Sequence, residues 1–164
     1  MTERLTLQTS TPDLRLFELL PDDASAYYAL VACSREPLTQ HGDYLDLGEA
    51  TPETVAEDLA DPENRNARFG VWFEDRLIGG VDLNPRTTED FVLGYWLGRE
   101  YTGKGYATVT CAALIAYGQE ALGARAIWAG VTKGNLKSAA VLQRLGFEAV
   151  SDHGTYTRFN RRLS

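Results

Sequence analysis

A short glycine-containing segment, Tyr101-Thr102-Gly103-Lys104-Gly105-Tyr106-Ala107-Thr108, constrains this chain more than any other. A strand-like run at residues 91–97 precedes it, and a long alanine-rich run at residues 107–122 follows it. Two glycines two residues apart at a strand-to-helix junction let the backbone approach a ligand closely and direct successive N–H groups toward it. The helix that follows adds unpaired N–H groups and the positive end of its dipole. The segment therefore predicts an anion-binding site, for which phosphate is the usual ligand.

Composition sets broad limits on what such a chain does. Its 164 residues suit one domain over positions 1–164, and the net charge of −7 argues against a nucleic-acid-binding surface. The same charge is compatible with cationic substrates such as amines. The N-terminus has no apolar signal region and no run reaches membrane-spanning length, so we expect a cytoplasmic protein without a membrane partner. Cys33 and Cys111 show no metal-binding or redox spacing, and Cys111 falls at a core position of the long helix.

Hydrophobic periodicity and turn residues predict seven strands and four helices in the order β, α, α, β, β, β, α, β, α, β, β. Thr51 followed by Pro52 is typical of a helix start, and Gly146 is typical of a helix end. The predicted strands occupy residues 14–19, 68–73, 76–83, 91–97, 126–131, 147–150 and 155–161. This order predicts an α/β protein with a mixed sheet and helices on both of its faces.

Two well-known phosphate-binding loops nearly fit the glycine segment. Gly98-x4-Gly103-Lys104 has the Walker A spacing, but Gly105 stands where a serine or threonine should bind magnesium. Gly103-x-Gly105 lacks the third glycine of the dinucleotide-binding fingerprint, because Thr108 occupies that position. Nucleoside triphosphate binding and a plain helix N-terminus without a ligand remain the alternatives at this point.

Four further segments along the chain, together with the glycine segment, carry a family resemblance. The segments are Leu77-Ile78-Gly79-Gly80, Gly94-Tyr95-Trp96-Leu97, Asn135-Leu136-Lys137-Ser138 and Leu142-Gln143-Arg144-Leu145-Gly146-Phe147. The set resembles the GNAT superfamily of acyl-CoA-dependent N-acetyltransferases, and within it the branch that acetylates the N-termini of ribosomal proteins. The resemblance covers nearly the whole chain. It implies the GNAT fold, with a central, mixed, mostly antiparallel sheet of about seven strands.

The resemblance also implies a set of functional residues. The segment 102–108 would cradle the pyrophosphate of CoA, and the strand from Tyr95 to Leu97 would pair with its pantetheine arm. Asn135 would contact the co-substrate, while Ser138 would lie near the sulfur and donate a proton to the leaving thiolate. From the residues alone, Asn135 and Ser138 could equally cap the helix that they begin. The implied co-substrate is acetyl-CoA, with no metal, and its contacts are Tyr95, Trp96, Leu97, Thr102, Gly103, Lys104, Gly105, Tyr106, Ala107, Thr108, Asn135 and Ser138.

The chain departs from the family pattern at two positions. The branch often has a glutamate two residues before the strand glycine, where this chain has Val92. The superfamily's glutamine or arginine three residues before the first loop glycine is Glu100 here. Asp82, Glu89 and Asp90 lie nearby and are interpreted as solvated turn or edge residues. The sequence therefore assigns no general base.

The resemblance places the acceptor pocket at two segments. One is the loop at residues 37–48, with His41, Asp43 and Tyr44, and the other is the turn at residues 152–154. The implied activity is acetyl transfer from acetyl-CoA to a primary amine, with a protein N-terminus, such as that of a ribosomal protein, as the first candidate. Polyamines, aminoglycoside-type antibiotics and a non-catalytic acyl-CoA sensor are the alternatives. The oligomeric state stays open, with a homodimer as one candidate.

Overall fold

A mixed β-sheet forms the centre of the computed structural model, which describes residues 4–36, 49–61 and 67–163. Eight strands of this described part lie in the order β1-β2-β3-β4-β5-β6-β8-β7, and only the β5–β6 pair is parallel. The strands are β1 Thr6–Gln8, β2 Leu14–Glu18, β3 Ala67–Phe73, β4 Arg76–Pro85, β5 Asp90–Leu97, β6 Ala126–Thr132, β7 Glu148–Asp152 and β8 Tyr156–Arg162. The helices are α1 Ala24–Cys33, α2 Pro52–Ala60, α3 Tyr106–Ala121 and α4 Leu136–Arg144.

The predicted fold class is confirmed, and β1 is the strand that the sequence analysis missed. This strand has three residues, too few to show an alternating pattern, and it exists because it pairs antiparallel with β2. The predicted helix start at Thr51 is confirmed, since its hydroxyl accepts a hydrogen bond from the Thr54 N–H at 3.2 Å. No helix in the described ranges combines the length and hydrophobicity needed to cross a bilayer.

The two faces of the sheet carry different helices. On the first face, α3 buries Cys111, Leu114 and Ile115 against the sheet, and each is at most 2% exposed. A fully buried leucine contributes about 2 kcal/mol to folding, so this contact fixes α3 firmly against the strands. On the second face, α1 packs Val31 against Trp96. Cys111 is therefore the small buried core residue that the sequence analysis predicted.

Strands β5 and β6 separate part-way along their length. Their parallel ladder contains three residue pairs and ends at Val92 and Trp128. Beyond that point β5 stays paired with β4 as far as Leu97, and β6 stays paired with β8 as far as Thr132. The two strands thus keep their outer partners while leaving each other. We call the resulting gap, between residues 93–97 of β5 and 129–132 of β6, the β5/β6 opening.

Candidate active site

The backbone of β5 is oriented toward the β5/β6 opening at alternate residues. The Gly98 N–H donates a hydrogen bond to the Ile78 carbonyl at 2.7 Å, which defines a hydrogen-bonded pair at this end of the β4–β5 ladder. Because such pairs alternate along antiparallel strands, the backbone groups of Trp96 face β4, whereas those of Tyr95 and Leu97 face the opening. The opening is therefore lined by backbone donors and acceptors, which can pair with the amides of an extended ligand.

The glycine segment lies between the end of β5 and the start of α3. Gly103 and Gly105 have φ values of 76° and 80°, a conformation that residues with a side chain rarely adopt. A Cβ atom at either glycine would have no neighbour within 4 Å among the described residues, so both face open space. Gly105 is the N-cap of α3 and has no side chain to satisfy the N–H groups of the first turn. These are the features of a backbone anion site.

The side chains of this segment differ in what they offer to a phosphate group. The Thr108 hydroxyl is buried in the first turn of α3 and has no hydrogen-bond partner in the described part of the chain. A buried hydroxyl without a partner costs free energy unless a ligand or water satisfies it. By contrast, Lys104 is exposed, and the Thr102 hydroxyl donates to the Arg99 carbonyl at 3.0 Å. The Thr108 hydroxyl is closed to solvent, so the backbone N–H groups, and not this side chain, are what the segment presents to a phosphate group.

Asn135 and Ser138 begin α4 and lie against β5. The Asn135 side-chain oxygen accepts a hydrogen bond from the Ser138 N–H at 3.2 Å, so Asn135 caps the helix. The Ser138 hydroxyl is hydrogen-bonded to the Tyr95 hydroxyl, which also reaches the Ser138 carbonyl at 3.3 Å. The Tyr95–Ser138 contact joins β5 to α4 across the first face of the sheet. Sequence reasoning missed it, because nothing in the sequence pairs two residues that are 43 positions apart.

Asp82 lies on the second face of the sheet, in a cavity of about 200 Å³ between the strands and α1. The interpretation of Asp82 as a solvated edge residue is wrong, since β4 lies inside the sheet and the side chain is half-buried. Burial raises the pKa of Asp82 to about 6, against the opposing influence of the Arg68 guanidinium. The sequence gave no signal of this environment, because a polar residue opposite the apolar face of a strand is also the pattern of a solvent-exposed position.

The other expected site residues lie apart from this cavity or outside the described ranges. Glu89 is an exposed turn residue, as predicted, and Asp90 is half-buried at the start of β5. In the turn at residues 152–154, the Asp152 carboxylate pairs with the Lys133 ammonium at 2.6 Å, which lowers the pKa of Asp152. His153 stacks on Tyr156 with ring centroids 4.7 Å apart. His41, Asp43 and Tyr44 lie outside the described residues.

Comparison with known proteins identifies the family of this chain. The acetyltransferase (GNAT) domain family matches residues 13–148, most of the chain. The chain belongs to the GNAT acetyltransferase family. The putative ribosomal N-acetyltransferase YdaF of Bacillus subtilis (strain 168) is 34% identical to it over 144 residues, which are 82% of this chain and 76% of YdaF.

Solved GNAT structures have the same fold. RimL, described as a ribosomal L7/L12 α-N-protein acetyltransferase in complex with CoA, matches with a TM-score of 0.84 over 97% of this chain and 98% of RimL, at 18% identity. An acetyltransferase from Thermus thermophilus matches with a TM-score of 0.72 over 97% of this chain and 100% of that protein, at 26% identity. The chain is therefore a GNAT N-acetyltransferase by family, and its fold is that of the RimL structure.

Proposed function

We propose that this GNAT protein transfers the acetyl group of acetyl-CoA to a primary amine, and that the amine is the N-terminal α-amino group of a protein. The observation that carries the proposal is the β5/β6 opening, which leads along β5 to the uncapped glycine segment at the start of α3. The names of YdaF and RimL support a ribosomal protein as the first acceptor to test.

The co-substrate fits the opening as an extended ligand with an anionic end. We assign the pyrophosphate to the N–H groups of residues 102–108. The backbone groups of Tyr95 and Leu97 are assigned to the amides of the pantetheine arm. Bound in this way, acetyl-CoA supplies an activated acetyl thioester, and the chain supplies its position and the proton transfers.

The Tyr95–Ser138 pair is the proposed proton donor for the sulfur. During transfer the amine nitrogen forms a bond to the acetyl carbon, and the carbon–sulfur bond breaks with its electron pair on sulfur. The Ser138 hydroxyl, held by Asn135 through the start of α4 and contacted by the Tyr95 hydroxyl, donates a proton to that sulfur. The carbonyl oxygen of the intermediate accepts a hydrogen bond from a β5 N–H that faces the opening.

Replacing Ser138 with alanine is expected to lower kcat by about 100-fold or more, because one positioned proton donor is lost. The affinity for acetyl-CoA should change less than about twofold, since the proposed contacts to the pyrophosphate and pantetheine remain. Tyr95→Phe should reduce kcat in the same direction, and the double variant should be little worse than either single one. Steady-state kinetics and calorimetry with CoA measure these effects. Lys137→Ala, an exposed change in the same turn, is the control.

If Ser138→Ala keeps the wild-type kcat, Ser138 has no part in the chemistry. If it lowers CoA affinity and kcat together, its role is binding instead.

The activity itself is tested with a panel of amines. Peptides with a free N-terminus, the same peptides with a blocked N-terminus, a polyamine and an aminoglycoside are each mixed with acetyl-CoA, and thiol release is followed in time. Mass spectrometry then locates the acetyl group. We expect acetylation of peptides at their free N-terminus only. Transfer of the acetyl group to the polyamine or the aminoglycoside alone would identify that class of amine as the acceptor. Binding of acetyl-CoA without thiol release above hydrolysis would identify an acyl-CoA sensor.

A further inference from the structure

We propose that Asp82 is the group that accepts the proton of the acceptor amine, from a position on the strand next to the β5/β6 opening. This inference rests on the proposed acetyl transfer to an amine. It concerns a residue on the opposite side of β5 from the Tyr95–Ser138 pair.

The carboxyl group of Asp82 lies close to the backbone of β5. Asp82 on β4 lies directly opposite Gly94 on β5, and a Cβ atom at Gly94 would come within 2.5 Å of the Asp82 Oδ1. The carboxyl group therefore leans over β5 in the space that a side chain at position 94 would fill. Neighbouring strands are about 4.8 Å apart, so this carboxyl group lies about one strand spacing from the opening.

A cavity leads to this carboxyl group from the second face of the sheet. It is lined by Asp82 and Gly94 from the sheet and by Tyr27 from α1, and Trp96 forms part of its wall. Gly80 also leaves room, since a Cβ atom there would lie 2.9 Å from the Trp96 indole nitrogen. A cavity of about 200 Å³ has room for a small amine head or several waters. An amine can thus reach Asp82 from the face opposite α3 and α4.

The charges and the burial around Asp82 make its carboxylate a better base than usual. Arg68, directly opposite Asp82 on β3, attracts its carboxylate but is already paired with Asp58 of α2 at 2.6 Å. Asp58 and the phenol of Tyr27 add negative or potentially negative charge, and Asn84 of β4 and the Gly94 backbone offer hydrogen bonds. Burial dominates and raises the pKa of Asp82 to about 6, whereas burial raises the pKa of Tyr27 to about 12. At neutral pH Asp82 is therefore ionised and more basic than an ordinary aspartate.

The proton balance requires a proton acceptor on one face of β5 and a proton donor on the other. An ammonium group must lose two protons to become an amide nitrogen. Asp82 accepts the first, either directly or through a water, and releases it to solvent through the cavity. The second proton leaves the nitrogen after it attacks the acetyl carbon and replaces, through water, the proton that the Ser138 hydroxyl gives to the sulfur. The proposed proton acceptor lies opposite Gly94, and Tyr95 of the proposed donor pair is the next residue of β5. The two groups therefore lie at one point along the strand, on its opposite faces.

The test is Asp82→Asn, which keeps the shape of the side chain and removes its basicity. We expect kcat/KM for the amine to fall by about 100-fold near neutral pH, with the Kd of CoA unchanged. The pH profile gives the decisive readout. The wild-type rate should fall below about pH 6 and level off above it. The variant can use only amine that is already neutral, so its rate should keep rising as the pH approaches the pKa of the amine. The difference in rate between the variant and the wild type should therefore shrink as the pH rises.

Asp90→Asn is the matched control, because Asp90 lies on the same face of β5 as Gly94 but four residues away. It should keep the wild-type pH profile. A carboxyl ¹³C titration of the wild-type protein, compared with Asp82→Asn, locates the Asp82 transition without relying on turnover.

The outcomes separate the two proposals. If wild-type protein acetylates an amine and Asp82→Asn matches it at every pH, the assignment of Asp82 is wrong and the acetyl transfer stands. If the deficit of Asp82→Asn is the same at every pH, its role is structural and the assignment is again wrong. If the wild-type protein acetylates no amine in the panel, both proposals fail. A deficit that shrinks with pH, together with a carboxyl transition near pH 6 that is absent from the variant, supports Asp82.

Discussion

Replacing Gly105 with valine is expected to weaken CoA binding by about 100-fold or more. Gly105 has a φ of 80°, and a β-branched residue is a strained outlier in that region. The valine would either force the loop to a different conformation or place its side chain in the open space beside the first turn of α3. In both cases the backbone N–H groups of the glycine segment would no longer point toward one phosphate position. Each hydrogen bond to a charged group contributes about 1.5–3 kcal/mol, so the loss of one or two accounts for the expected weakening.

Calorimetry with CoA measures the effect, and Gly123→Val is the matched control. Gly123 follows the other end of α3, has a φ of 70° and, like Gly105, has no neighbour within 4 Å of a Cβ position in the described part of the chain. Both variants should lose about 1–3 kcal/mol of stability from backbone strain. Only Gly105→Val should lose affinity for CoA. Equal CoA affinity in the two variants would place the pyrophosphate elsewhere. Stabilisation by ATP with magnesium instead of CoA would favour the nucleotide alternative.

The glycine segment could be predicted because its signal is local. Two glycines before a helix can adopt positive φ values without steric cost, and both have them. The same holds for the helix start at Thr51 and the helix end at Gly146, where φ is 86°. The seven predicted strands also come from local alternation or local apolar runs. In each case a few adjacent residues determine the conformation, so the printed sequence contains the necessary information.

The β5/β6 opening could not be predicted in this way. Its position depends on where two strands whose paired residues are 36 positions apart along the chain stop pairing, and neither Val92 nor Trp128 is a residue type that marks that point. The contact between Tyr95 and Ser138 depends in turn on how α4 packs after the strands have separated. These features come from the tertiary arrangement, for which local residue patterns have no signature. A family resemblance can supply them only as expectations.

Asp82 shows why a local pattern gave the wrong environment. In β4 the alternation of Val81, Asp82 and Leu83 places Asp82 on the face away from the core under α3, which resembles a solvent-exposed face. In the folded chain α1 packs against that second face and forms the wall of a cavity with Tyr27. The carboxylate is therefore partly buried, although its neighbours along the strand gave no sign of the helix that covers it.

Both faces of β5 carry groups suited to one reaction, which favours catalysis over a sensor role. The sensor alternative rests on the apolar Val92, which occupies a strand position that often carries a carboxylate in this branch. Asp82 provides a carboxylate on the same face, because it lies opposite Gly94, two residues along from Val92. A protein that only bound acyl-CoA would need the glycine segment and the opening but no basic group in a cavity on the far side of the strand.

Asp82→Asn is further expected to raise the free energy of unfolding by about 1–3 kcal/mol near pH 8 and to leave it unchanged near pH 4. Burial raises the pKa of Asp82 from 3.8 to about 6, so the folded chain binds this proton more tightly than the unfolded chain does. Ionising the carboxyl group therefore costs the folded state stability, and the loss accumulates as the pH rises from about 4 to about 6. Asparagine cannot ionise, so the variant escapes that loss. Arg68 keeps its ion pair with Asp58 and does not become an unpaired buried cation.

Urea unfolding of the wild type, Asp82→Asn and Asp90→Asn at a series of pH values measures the difference. The curves of stability against pH for the wild type and Asp82→Asn should coincide at acid pH and separate between about pH 4 and about pH 6. Parallel curves would mean that Asp82 titrates normally and is no better a base than a surface aspartate. A variant that is more stable and less active than the wild type would show that the chain retains a charge that opposes folding because the reaction requires it.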